Sequence, residues 1–452
     1  LYRPWRSASG FGLQAIETRV KKTDPKPLRR RNPWWIPPFL GAIPDIEPRL
    51  LSLLGFVALA LFFENYDYSL LNAALKHIAH DLGIPEQDLG LFAAQIRLGA
   101  LPAFLMIPFS DVIGRRRLFL ISVAGLSLGT FVTAFAQTPL QFVAAQIATR
   151  TFMLTASAIA VVIITEEFPA AHRGWGIGML AALAAVGHGF GALLFGAVEA
   201  LPFGWRALYA FGIVPMLLLP SFRGGISETR RFSDQNHAAM VNASDVMSRW
   251  FAPLTGMLQQ HPGRAAAVLF VAAVSSFGHA VVYAFIGYFV LEYRGWEPWQ
   301  YSAMVVLCGA LGIVGNVYAG RLADRHGRRI VGMAVLGIFP LFAWLFFRGP
   351  GWSLPATWVM LVLVTMAGNV ILRALATELF PTSQRGTAAG MMSLFETAGA
   401  GVGLVSLSFL AAERGDLIAM LPLVSSATLL GAAVILVLPE TRQRELESIS
   451  AH

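Results

Sequence analysis

Glu64 and Asp67 stand three residues apart inside an apolar run, so on a helix both carboxyls project from one face. One of two carboxyls held so close can take up and give back a proton, which is the chemistry of ion coupling. Arg97 and Arg150 each interrupt an apolar stretch of their own, and a guanidinium fork can hold a carboxylate through two bonds. His188, His279 and Glu396 complete the set. Insertion scales charge about 2.5 to 3.5 kcal/mol for an Asp, Lys or Arg at the centre of a membrane helix. Such groups in several different helices are therefore read as the walls of one polar cavity. Two readings stay open for some of them: Arg150 serves either substrate or a pairing with Glu64 or Asp67, and each histidine is either used or merely satisfied by a neighbour.

The elements that must position these residues are membrane helices. Of the 452 residues, 56% are hydrophobic and only 13% charged, against roughly 25% charged in soluble proteins. A spanning helix needs roughly 20 apolar residues, and the pattern predicts twelve, the first near 50–75 and the last near 417–438. The expected fold is an all-α membrane protein with two pseudo-symmetric six-helix halves, 50–222 and 264–438. A linker at 223–263 joins them, and tails at 1–49 and 439–452 flank them. Loops expected inside hold Arg115, Arg173, Arg264, Arg325 and many more arginines; those outside hold only Lys76, Arg206, Arg294, Arg348 and Arg414. This bias puts both termini in the cytoplasm of a cell-membrane protein. It also explains the +8 net charge without nucleic acid. The 1–49 tail is basic and Pro-rich, with no apolar segment of a cleavable signal, and is suited to lie on anionic lipid.

Two loops repeat. Residues 320–329 read GRLADRHGRR, and a degenerate copy follows Ile107 with Asp111, Gly114, Arg115, Arg116 and Arg117. A second repeat has a constant offset of 212 residues: Thr165, Glu166, Phe168, Pro169, Arg173, Gly174 and Gly178 recur as Thr377, Glu378, Phe380, Pro381, Arg385, Gly386 and Gly390. Duplicated halves are a known transporter plan, with substrate bound at their interface. Charge-assisted pairs among Asp111, Glu166, Arg173, Asp324, Glu378 and Arg385 are expected to latch the inner mouth. Gly114, Gly320 and Gly327, with Arg115, Arg325 and Arg328, belong to the same gate. Arg116, Arg117 and Arg329 are expected to cap helix ends.

The 320–329 loop resembles the signature loop of the major facilitator superfamily, G-x-L-A-D-R-x-G-R-R, at every position. The first copy departs from it at Ile107 and Val112. Residues 227–232 (SETRRF), 439–442 (PETR) and Gly204-Trp205-Arg206 resemble elements of sugar porters and their metabolite:proton symporter relatives. The seventh span lacks the glutamine-rich pattern of sugar porters. Glu64 and Asp67 resemble the acidic positions of the D-G-x-D element in aromatic-acid:proton symporters, and Arg150 matches the fourth-span arginine of proton-coupled members. The resemblance implies alternating-access transport, with a small molecule, protons and lipid as partners.

Other chemistry is absent from the sequence. It contains no phosphate loop and no H-E-x-x-H, no G-x-S-x-G stands at a strand-to-helix turn, and the single cysteine is Cys308. Neither a cofactor nor a metal nor an enzymatic reaction is expected, and the chain is expected to act as a monomer. The leading reading is proton-coupled symport of a small organic, possibly aromatic, acid. The others are a sugar or polyol porter, a drug-efflux pump and a transport-inactive receptor.

Overall fold

A computed structural model describes residues 43–44, 46–226, 228, 255, 258–380 and 384–441. The tail expected over 1–49, the linker over 223–263 and the tail over 439–452 fall largely outside these. Helices α1 (Pro48–Leu82), α2 (Glu86–Phe109), α3 (Arg115–Thr133), α4 (Pro139–Glu167), α5 (Arg173–Phe195) and α6 (Trp205–Gly224) form the first half. The second half consists of α7 (Pro262–Glu292), α8 (Pro298–His326), α9 (Arg328–Arg348), α10 (Leu354–Glu378), α11 (Arg385–Arg414) and α12 (Leu417–Ile435). Among the described residues, eleven helices are long and apolar enough to cross a membrane. The 29-residue α8 occupies the place of the remaining expected span.

Local chemistry sets the helix ends. Proline opens α1, α4, α7 and α8, where the missing N–H is not needed. Thr138 caps α4 and Asp416 caps α12, each accepting a backbone N–H from the first turn. At the other end of α1, Gly83 takes the left-handed conformation that stops the helix.

Lipid supplies no hydrophobic drive between helices, so close packing at small residues must hold them. A Cβ on Gly187 of α5 would lie 2.1 Å from the Phe62 carbonyl of α1. Gly399 of α11, 212 residues later, approaches the Ala273 carbonyl of α7 in the same way, at 2.0 Å. The pairs α1–α5 and α7–α11 are accordingly the most closely packed in their halves.

At the end away from the signature loops the halves are tied together. Lys76 Nζ donates to the Leu291 carbonyl at 2.9 Å and pairs with Glu292 at 3.1 Å. Leu91 N donates to Ser408 Oγ at 2.8 Å, and Ser302 Oγ to the Ala192 carbonyl at 2.5 Å. Tyr293 donates its hydroxyl to Glu86 at 2.5 Å. Burial pushes the Tyr293 phenol up and the Glu86 carboxylate adds to this, so it remains a donor at physiological pH. The central cavity lies on the signature-loop side of this closure.

Candidate substrate and proton site

Asp67 is 3% exposed, and its Oδ1 accepts a hydrogen bond from Thr130 Oγ1 of α3 at 2.9 Å, with Gln146 of α4 also at the carboxylate. Glu64, 8% exposed, keeps one buried oxygen, Oε2, without a hydrogen-bond partner. The shared face of this carboxylate pair therefore turns into the first half, behind the cavity wall. Tyr68, one residue beyond Asp67, turns the other way. Its ring lies 5.9 Å from the Arg150 guanidinium carbon and 6.2 Å from the His188 ring.

Helix α2 tightens into a 3-10 turn over Arg97–Gly99, a departure that often marks a functional hinge. Thr151 Oγ1 of α4 donates to the Gly99 carbonyl at 2.9 Å, and a Cβ on Gly99 would meet the Ile147 carbonyl at 2.4 Å. This close approach sets Arg97 and Arg150 around one small void, lined also by Tyr68 and Asn72. The Nε atoms of both arginines are buried without a hydrogen-bond partner. Arg150 is also within electrostatic reach of Glu64 and Asp67.

Next to this void is a cavity of about 240 Å³. The first half contributes Tyr68 and Arg97; α7 contributes Ser275, Ser276, His279 and Tyr283; α10 contributes Thr365, Asn369 and Arg373; α11 contributes Glu396. Tyr283 donates its hydroxyl to Thr365 Oγ1 at 3.0 Å. Arg373 Nη2 lies 4.0 Å from Glu396 Oε2. His279 sits 4.2 Å from the Phe339 ring, edge to face, with Nε2 buried and unpartnered. Of the residues singled out in the sequence, Arg97, His279 and Glu396 line the cavity and Arg150 lines the adjoining void. His188 lies beside Tyr68, and Glu64 and Asp67 lie deeper. Sequence reasoning missed Arg373, which lies near the end of α10. It also passed over Tyr68, Thr365 and Asn369.

The signature loops build one clamp twice. Gly114 (φ 102°) and Gly327 (φ 96°) turn the chain into α3 and α9 in a conformation that favours glycine. Arg115 Nη2 then meets Glu166 Oε1 at 3.2 Å, while Arg328 holds Glu378 and, at 3.0 Å, Asp324. The first amides of these helices find carboxylates: Arg116 N donates to Glu228 at 3.1 Å, and Arg328 N and Arg329 N donate to Glu440 at 2.9 and 3.2 Å. Arg116 and Arg329 reach the carbonyls of Arg223 and Leu436, as expected of residues that cap helix ends. Arg173 opens α5 and Gly320 lies on α8, while Arg325 is exposed. The side chains of Asp111 and Arg385 lie outside the described residues. Glu228 and Glu440 were not singled out as gate residues, although they share the 212-residue offset.

The profile of the Major Facilitator Superfamily matches residues 57–404 and, in a second alignment, 268–451. The chain belongs to this superfamily. It is thus an integral membrane transporter and not an enzyme. Among superfamily members, NiaP of Bacillus subtilis (strain 168), provisionally named a niacin/nicotinamide transporter, is 24% identical over 408 residues. That alignment covers 88% of this chain and 98% of NiaP. The gallate transporter of Pseudomonas putida is 26% identical over 177 residues, 38% of this chain and 39% of that protein. The fold is similar to the inward open conformation of the xylose transporter XylE from E. coli, with a TM-score of 0.69 at 17% identity, covering 89% of this chain and 99% of that one.

Proposed function

We propose that this transporter is a proton-coupled symporter of small organic acids, including aromatic ones, working by alternating access in the cell membrane with both termini cytoplasmic. The observation that carries this reading is the grouping of Arg97 and Arg150, buried Nε atoms unpaired, around one void with Glu64 and Asp67 behind them. With the carboxyls charged, Arg150 is held by Glu64 and Asp67. A proton on either loosens that hold and frees positive charge for an anionic substrate. An acid entering without a proton would leave excess negative charge in a poorly solvated site, and this penalty couples the two fluxes. The cavity is smaller than the roughly 300–1,000 Å³ of sites for drug-sized ligands, which suits a molecule of about one ring. The names of NiaP and the gallate transporter lend support, since niacin and gallate are aromatic carboxylates.

A second reading, a sugar or polyol porter, draws on the hydroxyl and amide groups of Ser275, Ser276, Thr365 and Asn369 in the cavity wall. Proteoliposomes under an imposed inward proton gradient separate the two. Accumulation of benzoate or nicotinate, but not of xylose or myo-inositol, is expected. Accumulation of a sugar alone would replace the acid reading with the porter reading.

A further inference from the structure

We propose that the outer end of α1 carries a docking site for the aromatic acid, apart from the central cavity. There the ring of the acid rests on Phe203, and its carboxylate takes Lys76 and His80 from Glu292, which releases the outer closure. The inference rests on the acid-transport reading above and extends it to the opening step. A second cavity, of about 470 Å³, is walled by Lys76, His80 and Asp81 of α1 and by Phe203, Trp205 and Arg206 where α6 begins. Its size falls within the roughly 300–1,000 Å³ of small-molecule sites.

Lys76 and His80 belong both to this wall and to the tie between the halves. Glu292 of α7 lies 3.1 Å from Lys76 Nζ and 3.4 Å from His80 Nε2. The protein's own carboxylate thus shows what chemistry these two side chains take. His80 is 65% exposed at its side chain, and an exposed pair contributes no more than about 1 kcal/mol, so a ligand carboxylate can displace Glu292. Asp81 accepts a hydrogen bond from Trp205 Nε1 at 3.1 Å and pairs with Arg206, which stacks 4.4 Å from the Trp205 ring centre. Beside this fixed rim Phe203 is 84% exposed, with φ at 67°. A bulky side chain in the left-handed region is strained, and such strain collects at ligand clamps and switches. Here it holds a large apolar ring at the wall of a cavity that also carries basic groups. With Lys76 and His80 turned to the ligand, Glu292 loses both partners, and α7 loses this charge tie to α1.

The test is the initial rate of labelled benzoate uptake into proteoliposomes of the full chain, under an inward proton gradient and over a range of outer concentrations. Phe203→Gly keeps the backbone conformation without its strain. It is expected to raise KM about fivefold, the scale of one aromatic contact, and to change the maximal rate little. Phe203→Asn, which also tolerates this conformation, is expected to do the same, and Phe203→Tyr to recover most of the loss. In a Glu292→Gln background no carboxylate has to be displaced, and the effect of Phe203→Gly is expected to disappear. Wild-type KM in both ringless variants, or a loss that Phe203→Tyr does not recover, overturns the proposal. So does a rise in KM from Phe203→Gly that is the same with Glu292 and with Gln at that position. Absence of benzoate uptake by the wild type would remove the acid reading itself, a different failure from wild-type uptake indifferent to Phe203.

Discussion

Arg115 Nη2 meets Glu166 Oε1 at 3.2 Å, with only 7% and 12% of the two side chains exposed. The same clamp recurs between Arg328 and Glu378, so each half locks the start of one helix to the end of the next. Removing one partner of a well-buried pair costs about 3–5 kcal/mol, because the other charge is stranded. Glu378→Gln is expected to lower the unfolding temperature in detergent by several degrees. Asp324 is 70% exposed, and an exposed pair contributes no more than about 1 kcal/mol. Asp324→Asn is therefore expected to leave stability nearly unchanged while slowing turnover more than it weakens substrate binding. Equal destabilisation by the two variants would show that exposure does not set their importance.

The Asp67 carboxylate is held by Thr130 Oγ1, and an asparagine at this position still offers an oxygen to that donor. Asp67→Asn is expected to fold normally, to lose accumulation driven by a pH gradient, and to retain exchange of substrate for substrate. The sign follows from the coupling: wild-type uptake rises as the outer pH falls, and the variant's uptake stays flat. Initial rates across a series of outer pH values check this.

Arg97 borders both the void and the cavity. Arg97→Ala is expected to abolish acid binding. Arg97→Lys is expected to recover little, since an ammonium lacks the two-pronged fork. Titration of both variants with benzoate decides the point, and wild-type affinity in either would remove Arg97 from the site.

Helix packing provides a prediction independent of transport. Gly187→Ala and Gly399→Ala each place a methyl about 2 Å from a facing carbonyl oxygen, and such overpacking costs about 1–3 kcal/mol. Gly189→Ala meets nothing within 4 Å and is expected to leave the unfolding temperature unchanged or slightly raised. Thermal unfolding of the three variants side by side checks the contrast.

Much of this is legible in the amino-acid sequence alone. Long apolar runs name their own helices, and the glycines of the signature loops mark turns that residues with a Cβ rarely adopt. The rotation of each helix about its axis was not legible. The i, i+3 spacing placed Glu64 and Asp67 on one face, but α1 carries no clear apolar stripe to say where that face points. Packing against Thr130 and Gln146 decides it. Arg373 was hidden by its nearness to the Thr377-Glu378 repeat, where an arginine reads as part of the loop chemistry. The acceptor roles of Glu228 and Glu440 needed the loops and helix ends brought together in space.

The central claim is that an acid and a proton cross together. The most direct measurement is the internal pH of proteoliposomes, followed by a trapped fluorescent indicator, when benzoate is added outside with no gradient imposed. The wild type is expected to acidify the lumen in step with uptake of labelled benzoate, faster than protein-free vesicles and faster than vesicles carrying Asp67→Asn. Benzoate uptake without protein-dependent acidification, or uptake of xylose unaffected by Arg97→Ala, would contradict the account.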